Sequence, residues 1–494
     1  MAEMRREKDS LGFVEVPAEA YYGAQTARAV ENYPISGMRA HPLLIRAFGM
    51  VKRAAAEANR ELGLLRDIDP ASVKSGQSRS PRLRLAQARP WSNRRVEAII
   101  AAAQEVIDGR WNDQFVVDVF QAGAGVSFHM NTNEVIANRA NEILGGARGE
   151  YKFVHPNDHV NYAQSTNDVF PTGMRVATLL ALETLYPQID ALADAFARKG
   201  AEFDPVMKSG RTHMQDAVPI RLGQEFAAYG VAIRKAGEFL RQAADGLREL
   251  GLGGSAVGTG LNTHPEYRAK AVANLARISE QPLFPAEDLR WAMQSNAVMA
   301  QVSGALRALA LEVIRISNDL RLLSSGPNTG FNEIQLPGLQ PGSSIMPGKI
   351  NPVMAELAAM VSFQVIGNDT AVALAVQAGQ LELNVMMPTM AYSVLQSITI
   401  LANMLRQLTE RCVAGITANV ERCRQYAEST VALATALNPY LGYAKAGELV
   451  KESVASGESI LSLAWKRKLL SEEQIREILD PKKMTEPRVA VKQD

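Results

Sequence analysis

Cysteine is scarce: Cys412 and Cys423 are the only two in 494 residues. They make no disulfide framework and no metal-ligand cluster, so the expected compartment is a reducing cytoplasm. Aromatics are also few, at 6%, while hydrophobic residues reach 47%. That combination predicts a core of Ala, Leu, Val and Met packed between helices. No sign of charge dominates, because 53 basic and 52 acidic residues nearly cancel. No global field therefore recruits nucleic acid or a membrane surface. The start, MAEMRREKDS, is charged and lacks the apolar stretch of a signal peptide. No apolar run is expected to reach spanning length, which leaves a soluble intracellular protein as the expectation. Period-two alternation is missing over any length, so sheet content is expected to be low. There is no Cys–His nucleophile arrangement, no phosphate-binding P-loop and no H-E-x-x-H. The Gly-rich pieces do not follow strand patterns, which excludes a dinucleotide-binding fold.

What is present is helical spacing. At this length two or three domains with a large core are expected. Residues 1–40 carry turn residues and aromatics and read as an extended, surface-hugging start. Leu44, Phe48, Val51, Ala55, Ala58 and Leu62 then alternate spacings of four and three, which predicts a helix over 42–62. Leu182, Leu185, Ile189, Leu192 and Phe196 repeat the pattern, with a kink expected at Pro187. A further helix is predicted over 221–250. Met299, Val302, Leu306, Leu309, Val313, Ile316, Leu320 and Leu323 keep these spacings without a miss, the seam of a long helix packed against others. Further helices follow over 352–378 and 389–416. The expected fold is all-α, with a central bundle of long helices. Residues 1–165 would form an N-terminal helical domain, 166–421 the bundle, and 422–494 a small helical domain. The stretch Arg66–Arg95 breaks the pattern with many arginines and reads as a basic, solvated loop. Apolar stripes on helices this long predict oligomerisation.

The polar loops between these helices carry the chemistry. Gln164–Asp168, Gly210–Asp216 and Gly342–Asn351 each adjoin a long helix and together offer hydroxyls, amides, His213 and Lys349. Such a set suits a small dianion on which more negative charge must be stabilised. The Gly-rich turn Gly251–Thr263 reads equally as an anion cradle or a flexible connection. Taken singly, Ser165 and Thr166 could cap a helix, His213 could be a core histidine and Lys349 a surface charge.

Together these residues resemble a known family. Gly342-Ser-Ser-Ile-Met-Pro-Gly-Lys-Ile-Asn351 looks like the signature loop of the aspartase/fumarase superfamily. Gln164-Ser-Thr-Asn-Asp168 and Gly210-Arg-Thr-His-Met-Gln-Asp216 resemble its other signature regions, and the likeness runs from Leu11-Gly12 and Ala20-Tyr-Tyr-Gly-Ala-Gln25 to the C-terminal part. Ser324-Ser-Gly-Pro327, Gln377–Asn384 and the turn 258–263 look more like the aspartate ammonia-lyase branch than class II fumarases. The resemblance implies a homotetramer with each active site built from three subunits, and no cofactor or metal. It also implies anti elimination of ammonia from L-aspartate through an aci-carboxylate. Malate dehydration is the alternative, and a non-catalytic scaffold is a third reading. Ser343 would be the base, and Ser344, Ser165 and Thr166 ligands of the β-carboxylate. Lys349 and Asn351 would hold the α-carboxylate, with Asn167, Thr212 and His213 around the leaving amine. The chain departs from the family pattern at Val126, where threonine is usual, and at His129, where asparagine is usual and which could be the replacement donor. Asn328 and Met387 stand where arginine and glutamate are frequent.

Overall fold

The computed structural model describes residues 3–65 and 93–487, so residues 66–92 of the basic stretch 66–95 lie outside the described residues, while Arg94 and Arg95 at its end begin a helix rather than continue a loop. The fold is all-α, with four small two-stranded sheets among the described residues. It begins with the hairpin β1 (Met4–Asp9) and β2 (Gly12–Pro17), followed by α1 (Ala24–Asn32), α2 (Pro42–Glu61), α3 (Arg94–Ile107) and α4 (Val126–Ile143). Residues 1–40 are therefore not a plain extended arm: the hairpin pairs strands across a tight Gly12 turn, and α1 follows. The helix α5 (Thr166–Glu202) leads to the hairpin β3 (Met207–Thr212) and β4 (Gln215–Arg221), then to α6 (Leu222–Asp245) and α7 (Tyr267–Ser279). The long helices α8 (Ala297–Leu323), α9 (Val353–Gln377) and α10 (Met387–Arg411) come next, then α11 (Val420–Ser429) and α12 (Tyr443–Ser456).

Helical spacing located the core well. Every seam residue from Met299 to Leu323 is at most 4% exposed, and the α5 set from Leu182 to Phe196 is fully buried. Helix α5 runs without a break through Pro187. Helix α6 stops at Asp245, five residues short of the expected end, because Gly246–Arg248 tightens into a 3-10 turn. The loop expected at 209–216 is the β3–β4 hairpin, whose polar residues hide its strands from a hydrophobic-period reading.

Two helices correct the expectation that no apolar run reaches spanning length. Helices α8 and α9 have apolar windows of mean hydropathy 1.5 and 1.4, of which 44% and 39% is buried within the chain. Single charged residues interrupt the sequence pattern without lowering the average enough. Met360 and Phe363 on α9 are 59% and 60% exposed.

The chain forms two compact units. One comprises Met1–Leu185, Phe239–Arg307 and Gln364–Ile400, and the other Tyr186–Glu238, Ala308–Phe363 and Leu401–Asp494. In the first unit, buried Glu134 on α4 accepts hydrogen bonds from the Gly23 N–H (2.8 Å), the Gln25 N–H (2.9 Å) and the Thr26 hydroxyl (2.6 Å). This fastens the Tyr22–Gln25 motif at the start of α1, where a Cβ on Gly23 would fall 2.3 Å from the Tyr151 hydroxyl.

Candidate active site

In the first unit, the site residues gather where α5 begins. The Ser165 side chain accepts from the Asn167 N–H (3.3 Å), and the Asp168 carboxylate accepts from the Ser165 N–H (2.9 Å). This reciprocal cap satisfies donors that a helix start leaves open. The capping reading of Ser165 is thus correct as far as it goes. The other Asp168 oxygen accepts from the Gly253 and Ser255 N–H groups, both at 3.0 Å, and the Asn167 amide donates to the Ala256 carbonyl at 2.8 Å. The Gly251–Thr263 turn is therefore no free connection. Its Gly253 and Ser255 N–H groups are spent on a protein carboxylate, and Asp168 holds it against the α5 N-terminus. Burial lifts the Asp168 carboxyl to about 6, against the lowering effect of its N–H partners and of Lys52.

Thr166 lies beside α4. Its hydroxyl is 2.6 Å from Nδ1 of His129, whose Nε2 is 2.5 Å from Nζ of Lys52 on α2. All three residues are buried, Lys52 completely. Burial drives the proton affinities of Lys52 and His129 well down, while the Asp168 charge raises that of Lys52. Helix α4 can start where it does because Gly125 has φ +88° and its Cα faces the Phe170 ring, which a Cβ would meet at 2.2 Å. Val126 at the head of α4 is 41% exposed and brings no hydroxyl. His129 is turned to Thr166 and Lys52, so it is not itself an open donor. Lys52 escaped the sequence reading. It stands beside Arg53 in the run Gly49-Met-Val-Lys-Arg-Ala-Ala-Ala56, where nothing in residue order sets it apart. Met387 is buried and Asn328 exposed.

In the second unit, Thr212 and His213 stand at the exposed tip of the β3–β4 hairpin. His213 and Met214 form its two-residue turn with φ of +54° and +62°, a left-handed pair that matches strand twist but is costly for residues with a Cβ. Below the tip, the fully buried Glu333 pairs with Arg211 at 2.9 Å and Lys208 at 3.3 Å, and Lys208 also reaches Glu225 at 3.0 Å. Arg211 lies over the Phe331 ring at 4.2 Å. A buried carboxylate between cations is retained only with complete pairing, so this cluster sets the hairpin's angle firmly.

The loop 342–351 belongs to the same unit. The Gly342 N–H donates to the Lys349 carbonyl (2.7 Å), and the Asn351 amide donates back to the Gly342 carbonyl (2.8 Å), closing the loop at its base. Ser343 Oγ accepts from the Ile345 N–H (3.2 Å) and the Met346 N–H (3.0 Å). Two backbone dipoles thus point at one hydroxyl oxygen, an arrangement that favours negative charge on it. Ser344 and Lys349 are exposed. The structure therefore joins Ser165, Thr166 and Asn167 in one cluster, Thr212 and His213 in a second, and Ser343, Ser344, Lys349 and Asn351 in a third. Cys412 and Cys423 are buried, and burial pushes both thiols up to about 12. Among the described residues no group of His, Cys, Asp or Glu is placed to hold a metal.

The chain matches the family model described as "Lyase" over residues 12–367 and that described as "Fumarase C C-terminus" over 433–486. An aspartate ammonia-lyase of a Bacillus species is 47% identical over 99% of both chains. That of Pseudomonas aeruginosa is 48% identical over 99% of this chain and 98% of its own. Among solved structures, a Brucella melitensis protein titled fumarate lyase:delta crystallin, bound to cobalt, is 46% identical with a TM-score of 0.90, covering 98% of this chain and all of its own. A class II fumarase from Schistosoma mansoni is 34% identical with a TM-score of 0.89, covering 98% and 99%.

Proposed function

We propose that this chain, which belongs to the lyase superfamily of aspartate ammonia-lyases and class II fumarases, eliminates ammonia from L-aspartate to give fumarate. One observation carries the choice of substrate: it is 47% identical over its whole length to an aspartate ammonia-lyase, against 34% to a class II fumarase. The loop geometry supports the chemistry. Removing a C3 proton beside a carboxylate gives an aci-carboxylate dianion, so both the base and the new charge need stabilising. Ser343 is the base. An isolated serine is far too weakly acidic to work as an alkoxide, and the Ile345 and Met346 N–H groups lower that cost by bonding its oxygen. Ser344, Ser165 and Thr166 hold the β-carboxylate. Lys349 and Asn351 hold the α-carboxylate, with Asn351 also bracing the loop through Gly342. Asn167, Thr212 and His213 surround the departing amine, which leaves as ammonia. No step calls for a metal or cofactor.

The enzyme works in the cytoplasm as a homotetramer, with three subunits contributing to each site. Exposed Met360 and Phe363 on α9 support this assembly, as residues that other subunits would cover. The division into domains 1–165, 166–421 and 422–494 belongs to the same reading. It is supported at its end by the separate apolar cluster of Leu433, Leu437, Leu449, Ile460, Leu463 and Ile475. The test is to supply L-aspartate and, separately, L-malate, and to follow fumarate by its ultraviolet absorbance. Fumarate from aspartate is expected. Fumarate from malate alone would replace this reading with a hydratase, and from neither with another lyase or a non-catalytic scaffold.

A further inference from the structure

Lys52 and His129, buried in line with Thr166, have no part in the elimination as written above, yet the hydrogen bonds of this line can be assigned a direction. Lys52 Nζ is surrounded by His129 Nε2, Gln164 Oε1 at 2.9 Å and Asn161 Oδ1 at 3.1 Å. Both amides are turned by other bonds. Asn161 Nδ2 donates to the Gln164 carbonyl at 3.3 Å, and Gln164 Nε2 donates to the Val160 and Tyr162 carbonyls at 3.0 and 3.2 Å. Their oxygens therefore face the lysine. An ammonium has three N–H donors and no lone pair, so it matches a shell of three acceptors. Burial lowers the proton affinity of Lys52 and the Asp168 carboxylate raises it, so the case for the ammonium rests on the three acceptors that surround Nζ.

If Lys52 donates to Nε2, the neutral imidazole must carry its proton on Nδ1. Nδ1–H then donates to the Thr166 oxygen, and the threonine keeps its own hydrogen for another acceptor. In the reverse arrangement an uncharged amine accepts from Nε2–H, and Thr166 donates its hydrogen to Nδ1. Only lone pairs would then face a substrate carboxylate, and they would repel it.

We propose that Lys52 and His129 are positioning residues that set the direction of the Thr166 hydroxyl, so that it donates to the substrate's β-carboxylate. The proposal rests on the reading of Thr166 as a ligand of that carboxylate. It gives His129 a role at the position where Val126 supplies no hydroxyl: His129 strengthens the donor that remains. Because charge grows on the β-carboxylate in the aci intermediate, the relay acts on kcat more than on KM.

The direct test is solid-state 15N NMR of the full-length enzyme labelled at histidine, with the His129 signals assigned by their loss in His129→Phe. Protonation on Nδ1 alone is expected, and a protonated Nε2 overturns the proposal. This readout needs no turnover, so it stands apart from any failure of the aspartate assignment. The kinetic arm compares Lys52→Met and Thr166→Val. Both are expected to lower kcat for aspartate by about 10²-fold, the scale for one lost donor to a developing anion. A Thr166→Val enzyme with parental kcat overturns the role of Thr166 and the relay with it. A folded Lys52→Met enzyme with parental kcat, beside a crippled Thr166→Val, overturns the relay alone. If Lys52→Met does not fold, the tautomer of the parent enzyme decides.

Discussion

At the scale of single residues, burial does what exposure cannot. Ser343 Oγ has two N–H donors, so its replacement removes both the proposed base and the oxygen they point at. Ser343→Ala is expected to lower kcat by about 10³-fold or more, in the upper range for a general base, with little change in melting temperature. Rapid turnover by the variant would assign the base elsewhere. Asp168 makes a prediction of opposite character, about stability. Its carboxyl titrates at about 6 in the fold against 3.8 in a free chain. The folded state therefore holds more protons than the unfolded state between those values, and stability from this group falls as pH rises through that window. A shift of roughly two units corresponds to about 3 kcal/mol. Asp168→Asn cannot ionise, so thermal melts between pH 3.5 and 7 should show the variant gaining on the parent by about that amount as pH rises. A pH-independent difference would mean that Asp168 is not burdened by burial.

At the scale of elements, the hairpin and the loop are each fastened at the base, by two ion pairs and by two hydrogen bonds. Glu333 is fully buried between Lys208 and Arg211. Glu333→Ala leaves those cations facing each other with Glu225 alone beside Lys208, and should cost about 3 kcal/mol in denaturant unfolding. The loop 342–351 is largely exposed, and its substitutions should separate activity from stability. A Cβ on Gly342 would sit 2.8 Å from both the Asn351 nitrogen and the Lys349 carbonyl oxygen, forcing the loop base open. Gly342→Ala is expected to cut kcat by about 10²-fold, the effect of misplacing a reacting group by about 1 Å, with an almost unchanged melting temperature. Equal losses of both would show that the loop supports the fold.

At the scale of the whole molecule, the exposed apolar residues Met360 and Phe363 of α9 test the proposed assembly. Met360→Glu with Phe363→Glu should break the proposed tetramer, read as a fall in mass by light scattering, and abolish activity because no subunit holds a complete site. Activity in a monomeric variant would sink the shared-site reading.

How much of this was legible beforehand follows from the range of the interactions. Apolar spacing along one helix is local, so the seam from Met299 to Leu323, the all-α fold and the motif loops could be read directly from residue order. The superfamily was legible for the same reason, because its signature residues are contiguous in the chain. Hairpin β3–β4 was missed because its strands are polar and pair with each other, leaving no hydrophobic period. Lys52 was missed because nothing near it in sequence marks it: His129 lies 77 positions away and Asn161 109. The tie between Asp168 and Gly253 spans 85 positions and turned an apparent flexible connection into a fixed wall. Sequence alone determined which chemical groups the protein carries and on which helices. Tertiary structure alone decided which of them are buried together, and hence which protons they hold and which way their hydrogen bonds run, because burial and pairing depend on neighbours that residue order does not reveal.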